Sequence, residues 1–217
     1  MKYQALIFDL DGTLLDTLDD LADSVNVVLA KHGYPQKTRE EVCAAVGSGI
    51  VKLIERVLPN GRENAAFDLA LADFKQYYGA HCEDKTAPYA GIPELLARLQ
   101  EAGVKMAIVS NKADFAVKTL AKTWFPTTIP VAIGENEAAG IRKKPAPDTV
   151  DLALRELGVT REQAAYVGDS EVDVLTARNC DMPCLSVTWG FRSRELLKES
   201  GAEILLDTPQ ALWDAIQ

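Results

Sequence analysis

The sequence predicts an α/β fold in which a Rossmann-like parallel sheet carries an inserted, all-helical cap. Three observations point there. Short, near-continuous apolar runs recur at residues 5–10, 104–110, 129–133, 164–167 and 183–187. Helical patterns alternate with those runs through the second half of the chain. Residues 18–81 break the alternation and show helical patterns alone.

The first run, ALIFDL at 5–10, is bulky and too short for a helix, so it reads as a buried strand. Apolarity without strict alternation is the mark of a parallel strand covered on both faces. Stretches 18–31, 39–45, 50–57 and 64–80 follow as helices. From there, helix 92–102 sets Leu95, Leu96 and Leu99 on one face and stops at Gly103. Strand 104–110, helix 113–123 and strand 129–133 come next. Helix 147–157 has Pro147 in its first turn and ends at Gly158. Strand 164–167, helix 171–179, strand 183–187, helix 194–200 and a weaker edge strand at 203–206 complete the alternation of a parallel α/β sheet. The sheet domain is therefore expected at 1–16 and 82–217, discontinuous in sequence, with the helical domain at 17–81.

Of 217 residues, 47% are apolar, which supplies a core of ordinary size. The formal net charge is −9, with the acids spread along the chain. That balance disfavours nucleic acid and anionic membranes as partners, because a polyanion needs a concentrated basic surface. Cys43, Cys82, Cys180 and Cys184 form no CxxC pair, so structural zinc is not expected and reduced thiols are. With no signal peptide or membrane span legible, the expected location is cytoplasmic.

Polar clusters follow the strands. Asp9 closes the first, with Asp11, Gly12 and Thr13 directly after. Ser110, Asn111 and Lys112 close the second, and Gly168, Asp169 and Ser170 follow the strand at 164–167, with Asp173 shortly beyond. Lys144 sits in the basic loop 142–145 ahead of a helix. Open parallel sheets bind ligands at the carboxyl ends of their strands, so all four clusters are expected to face one crevice. Asp9, Asp11 and Asp169 would crowd three carboxylates there, and only a cation or a lysine can neutralise them. Mg²⁺ suits such a set, as a hard ion with oxygen ligands at about 2.0–2.1 Å. A cation, a lysine and hydroxyl or amide donors together hold a phosphoryl group, and an aspartate can attack phosphorus to give an acyl phosphate. Taken singly, each cluster also reads as a turn, a helix cap or a solvated loop.

In this order the motifs resemble the haloacid-dehalogenase-like phosphatase superfamily over essentially the whole chain. Asp9-Leu10-Asp11-Gly12-Thr13 matches DxDGT, Ser110 the second motif, Lys144 the third, and Gly168-Asp169-Ser170-Glu171-Val172-Asp173 matches GDSxxD. Residues 15–17, Val46-Gly47-Ser48-Gly49, Ser110-Asn111-Lys112 and Val187-Thr188-Trp189-Gly190-Phe191 resemble phosphoglycolate phosphatases in particular. The resemblance implies Asp9 as nucleophile and Asp11 as acid and base. It implies Mg²⁺ held by Asp9, the Asp11 main-chain carbonyl and Asp169, with Asp173 in support. Ser110 and Asn111 would bind phosphoryl oxygens, Lys144 would neutralise charge, and Thr13 would steady the loop. A monomer or homodimer acting on a small phosphorylated metabolite, 2-phosphoglycolate foremost, is the expectation.

A phosphomutase resembling β-phosphoglucomutase, or a pyrophosphatase of the same superfamily, shares these core motifs. A true dehalogenase would lack Asp11, and a non-catalytic phosphate-binding protein would have lost Asp9, Asp11 or Lys144. In the helical domain, Gly47, Ser48 and Gly49 precede helix 50–57, whose Lys52 and Arg56 fall on one face. Two glycines and a helix N-terminus favour close approach of an anion, so this loop is expected to read a second negative group such as a carboxylate. His32 and His81 are expected to be structural, and Trp189 and Phe191 to be packing residues.

Overall fold

The computed structural model describes residues 1–217, the side chain of Glu137 excepted. In chain order the elements are β1 (Ala5–Phe8), β2 (Leu15–Asp16), α1 (Leu18–Lys31), α2 (Arg39–Ala45), α3 (Ile50–Val57), α4 (Phe67–His81) and β3 (Ala87–Pro88). Then come α5 (Ile92–Glu101), β4 (Lys105–Ala113), α6 (Asp114–Trp124), β5 (Val131–Glu135), α7 (Asp148–Leu157), β6 (Ala164–Gly168), α8 (Glu171–Asn179), β7 (Cys184–Val187), α9 (Arg194–Glu199), β8 (Ile204–Leu206) and α10 (Pro209–Ala215). The chain divides into two compact units, Met1–Leu15 with Pro88–Gln217, and Asp16–Ala87.

The first unit holds a six-stranded sheet in the order β5-β4-β1-β6-β7-β8, with parallel pairing throughout. Successive side chains along each strand point to opposite faces, and here both faces are covered. Leu6 and Phe8 join Met106, Ile108 and Val167 under α5, α6 and α10, whereas Ala5 and Ile7 join Ala107, Val109 and Tyr166 under α7. Two-sided burial is the physical reason that the strands read as unbroken apolar runs. Connections leave β1 toward β4 on one side and reach β6 on the other, so the strand order reverses at β1. The register sets Phe8 level with Ile108 and Val167. Residues just past those three positions therefore emerge at one height.

The structure differs from the sequence reading in particular places. β4 continues through Ser110, Asn111 and Lys112 to Ala113, with its pairing to β5 irregular between Val109 and Ala113. Ser110 thus lies inside the strand. The polar identities of these residues mark a turn by local preference, but pairing with β5 at Val109 and again at Ala113 brackets them within the strand. The short ladder of β2 with β3 and helix α10 were not foreseen. α10 buries Leu212 completely but spans only seven residues, too few to show a clear period.

The second unit is four helices, with α1 against α2 and α4, and α3 against α2 and α4. α2 opens on a capping box: Thr38 accepts from the Glu41 amide while Glu41 reaches back to the Thr38 amide. Phe74 and Tyr78 stack at 5.4 Å within its core. Asp20, in the first turn of α1, is buried and clasps the returning chain. Its carboxylate accepts from the amides of Lys85 (2.9 Å) and Thr86 (2.8 Å) and from the Thr86 hydroxyl (2.8 Å). No helix among the described residues is long and apolar enough to cross a membrane.

Removing a buried acceptor leaves its donors unsatisfied. Asp20→Ala is expected to lower the unfolding free energy by about 2–3 kcal/mol in urea titrations. A change under about 0.5 kcal/mol would show that the clasp contributes nothing to stability.

Candidate active site

β1 delivers Asp9 into the crevice where the strand order reverses. The Asp9 amide still donates to the Val167 carbonyl (2.8 Å), which extends the ladder by one residue and fixes the aspartate against β6. The Asp9 side chain accepts from the Leu10 amide (2.7 Å) and from Lys144 Nζ (2.9 Å). Lys144 also contacts Asp173 (2.8 Å) and Tyr166 Oη (3.1 Å). Its ammonium is therefore shared between two carboxylates in a nearly sealed position, the lysine being only 4% exposed.

Asp169 follows β6 and is buried. Its Oδ1 accepts from the Thr13 hydroxyl (3.0 Å) and its Oδ2 from the Phe191 amide (2.7 Å). Asp173 sits one turn into α8, where its Oδ2 accepts from the amide (3.1 Å) and hydroxyl (2.6 Å) of Ser170, the N-cap residue. One oxygen of each of Asp9, Asp169 and Asp173 lies within 4.8 Å of the others. Asn111 Nδ2 donates to the Lys144 carbonyl (3.1 Å), tying β4 to the lysine loop, and Ser110 Oγ accepts from the Lys112 amide (3.3 Å). Lys112 reaches both oxygens of Asp11, at 2.7 and 3.0 Å.

Charge decides what this arrangement can hold. Asp9, Asp11, Asp169 and Asp173 bring four carboxylates, and Lys112 and Lys144 bring two ammoniums. Two negative charges remain without a counter-charge among these six residues. Burial is expensive for an unpaired charge. Burial pushes the Asp9 carboxyl up to about 7; Lys144 opposes the rise, and Asp173 and Asp11 add to it. Asp169 lies well above the usual carboxylate range for the same reason, burial first and then Asp173 and Asp9, against the Phe191 and Thr13 hydrogen bonds. Burial pulls Lys144 down, but Asp173 and Asp9 outweigh it and hold its ammonium well above the ordinary lysine value. A divalent cation with oxygen ligands is the group that fits a hard, buried donor set short of two positive charges.

A family model described as haloacid dehalogenase-like hydrolase matches residues 6–187, from β1 to the end of β7. The chain belongs to the haloacid dehalogenase-like hydrolases. Within them it is phosphoglycolate phosphatase-like and a phosphoric monoester hydrolase. It is 33% identical over 208 residues to the phosphoglycolate phosphatase of Pseudomonas syringae pv. tomato, covering 93% of this chain and 75% of that one. It is 28% identical to the N-acetylmuramic acid 6-phosphate phosphatase of Pseudomonas aeruginosa, over 100% of this chain and 96% of the relative. A solved structure from Lactobacillus delbrueckii subsp. bulgaricus, provisionally named a phosphoglycolate phosphatase, superposes with a TM-score of 0.94 at 39% identity, covering 100% and 99% of the two chains.

Of the residues singled out in this haloacid dehalogenase-like hydrolase from sequence, Asp9, Asp11, Thr13, Ser110, Asn111, Lys144, Asp169 and Asp173 all belong to the sheet unit. Gly47, Ser48 and Gly49 belong to the helical unit. There Gly47 and Gly49 take positive φ values of 115° and 84°, and Gly49 is the N-cap of α3. The expected basic face of α3 needs correction. Lys52 pairs with Glu55 (2.7 Å), and Arg56 turns back to the Ala45 carbonyl (2.8 Å) and Ser48 Oγ (3.2 Å). Lys52 is neutralised by its neighbour three residues on, whereas Arg56 ties α3 to the loop ahead of it by neutral acceptors. Two contributors had no assigned role in the sequence reading. Lys112 was named among the polar residues that close the second strand but given no part in the chemistry. Trp189 was read as packing, yet its Nε1 donates to the Thr13 carbonyl (3.0 Å).

The raised Asp9 value has a consequence for folding. A carboxyl whose folded pKa exceeds its unfolded one favours the native state below the unfolded value, and that advantage is lost as pH rises toward about 7. In EDTA, Asp9→Asn is therefore expected to gain stability relative to wild type between pH 5 and pH 8, measured as the difference in urea unfolding free energies. A difference that stays constant or shrinks would contradict the burial-driven shift.

Proposed function

We propose that the chain is a Mg²⁺-dependent phosphatase that hydrolyses a small phosphate monoester bearing a carboxylate, 2-phosphoglycolate foremost, through an aspartyl phosphate on Asp9. The observation that carries this reading is Asp9 itself: buried at the end of β1, in contact with Lys144, and grouped with Asp169 and Asp173.

In this reading the Asp9 carboxylate attacks phosphorus in line with the departing ester oxygen. The phosphorus–oxygen bond to that group breaks, and Asp11, which enters this step protonated rather than as the carboxylate paired with Lys112, gives its proton to the leaving oxygen, releasing the alcohol. Asp11 then takes a proton from water as that water attacks phosphorus, which frees inorganic phosphate and regenerates Asp9. Ser110 and Asn111 hydrogen-bond the phosphoryl oxygens, and Lys144 balances the charge of Asp9 and the phosphate. Thr13 and Lys112 hold Asp169 and Asp11 in place. Asp9, the Asp11 main-chain carbonyl and Asp169 are the proposed metal ligands. Asp173, with Lys144, Tyr166 and Ser170 already as partners, supports them. When bound, the cation draws charge from the phosphoryl oxygens and balances the surplus of carboxylates.

The substrate proposal combines two supports. The relatives are named for 2-phosphoglycolate and for N-acetylmuramic acid 6-phosphate. Both esters carry a carboxylate as well as the phosphate, on the adjacent carbon in 2-phosphoglycolate and on the 3-O-lactyl group in N-acetylmuramic acid 6-phosphate. The loop of Gly47, Ser48 and Gly49 is the proposed reader of that group, through main-chain amides at the start of α3 rather than through Lys52 or Arg56. A dissolved metabolite handled in the cytoplasm by a monomer or homodimer completes the proposal, with no nucleic acid or membrane involved.

The decisive comparison is kcat/KM for 2-phosphoglycolate against ethyl phosphate, which lacks the carboxylate. A preference of at least about tenfold is expected, since one charge-assisted hydrogen bond contributes roughly 1.5–3 kcal/mol. Gly47→Val or Gly49→Val should erase it, because neither positive φ suits a branched residue, while slow hydrolysis of p-nitrophenyl phosphate persists. EDTA should stop all turnover and Mg²⁺ restore it. Equal rates on both esters would remove the carboxylate from the proposal, and full activity without metal would remove the cation.

A further inference from the structure

The segment Trp189–Phe191, just past β7, contributes nothing to the proposed chemistry so far, yet it contacts both Asp169 and the loop that follows β1. Three contacts define it. The Phe191 amide donates to Asp169 Oδ2 at 2.7 Å, the shortest hydrogen bond that carboxylate receives. Trp189 Nε1 donates to the Thr13 carbonyl at 3.0 Å, so the same segment grips the residue whose hydroxyl holds Asp169 Oδ1. Between them Gly190 lies so close that a Cβ there would overlap the Gly12 carbonyl oxygen and the Cβ and Oδ2 of Asp169.

Gly190 has no left-handed backbone to explain it; the demand for glycine is one of space alone. Gly12 shows the same requirement, since a Cβ there would overlap both oxygens of Asp169, in addition to a φ of +85°. The carboxylate is therefore packed against two bare backbones, with each oxygen holding one hydrogen bond. A small octahedral cation accepts little angular error from its ligands. Partners that hold a ligand in place typically change metal affinity by 10–100-fold when altered.

We propose that Gly190 and the Phe191 amide are positioning elements for Asp169 that set the affinity of the site for a divalent cation. This rests on the metal reading of the preceding subsection. Gly190 acts by leaving space, Phe191 by its main-chain N–H, and Trp189 by anchoring the segment to the loop that follows β1.

The test is Mn²⁺ binding to the full-length protein, read from the electron paramagnetic resonance of free Mn²⁺, with thermal unfolding in EDTA as the check on the fold. Gly190→Ala is expected to raise the Mn²⁺ Kd at least about tenfold while the variant still unfolds cooperatively in EDTA, at a midpoint lowered by the overlap. Phosphatase activity should return at high metal concentration. An unchanged Kd in the folded variant would overturn the proposal while leaving the metal reading intact. No Mn²⁺ binding by wild type would bring down the metal reading and this inference with it. Should Gly190→Ala fail to fold, the wild-type protein decides: the Phe191 amide resonance must shift in step with Mg²⁺ titration. An amide that stays fixed at saturating Mg²⁺ would refute its link to the ligand.

Discussion

The ammonium of Lys144, shared between Asp9 and Asp173 in a position sealed from water, is the interaction on which the site depends. Asp9 sits at the end of the central strand because both faces of that strand are covered by apolar layers. That placement strips the carboxylate of solvent. Without Lys144 the aspartate would face burial, Asp11 and Asp173 with only the Leu10 amide against them. With it, one negative charge at Asp9 becomes tolerable, and two more within the cluster remain for a divalent cation and a phosphoryl group to rearrange. The same balance ties distant segments together. Asn111 holds the backbone of Lys144, Tyr166 touches its ammonium, and Asp173 is fixed by the cap of α8.

Much of this was legible in the sequence where the signal is local. Covering both faces of β1 and β6 demands apolar residues at every position, so ALIF and AAYV announce strands without any period. The grouping of Asp9, Asp169 and Lys144 followed from strand ends and topology. What stayed hidden depends on distance in sequence. Pairing with β5 at Val109 and Ala113 brackets residues 110–112 within the strand, and local preference cannot see that partner. Gly190 looks like an ordinary loop glycine until Gly12 and Asp169, far away in the chain, are set against it. Lys52 and Arg56 misled for the converse reason: charge and spacing were right, but Glu55, Ser48 and the Ala45 carbonyl had prior claim on them.

The two compact units divide the proposed roles between them. Every residue proposed for phosphoryl transfer lies in the sheet unit, built by register and topology. The residues proposed to choose the substrate lie in the helical unit. Relatives named for phosphates as different in size as 2-phosphoglycolate and N-acetylmuramic acid 6-phosphate match nearly the whole chain. A shared chemical centre with a separately variable selector accounts for that spread, because the reaction at phosphorus is indifferent to the rest of the ester.

The central claim is that Asp9 carries the phosphoryl group during turnover. It is tested most directly by quenching the reaction in acid, reducing the trapped acyl phosphate with borohydride and sequencing the protein by mass spectrometry. The account predicts homoserine at position 9, between Phe8 and Leu10, and only when substrate and Mg²⁺ were both present. Homoserine at another aspartate, or an unmodified position 9 under conditions of rapid turnover, would contradict it.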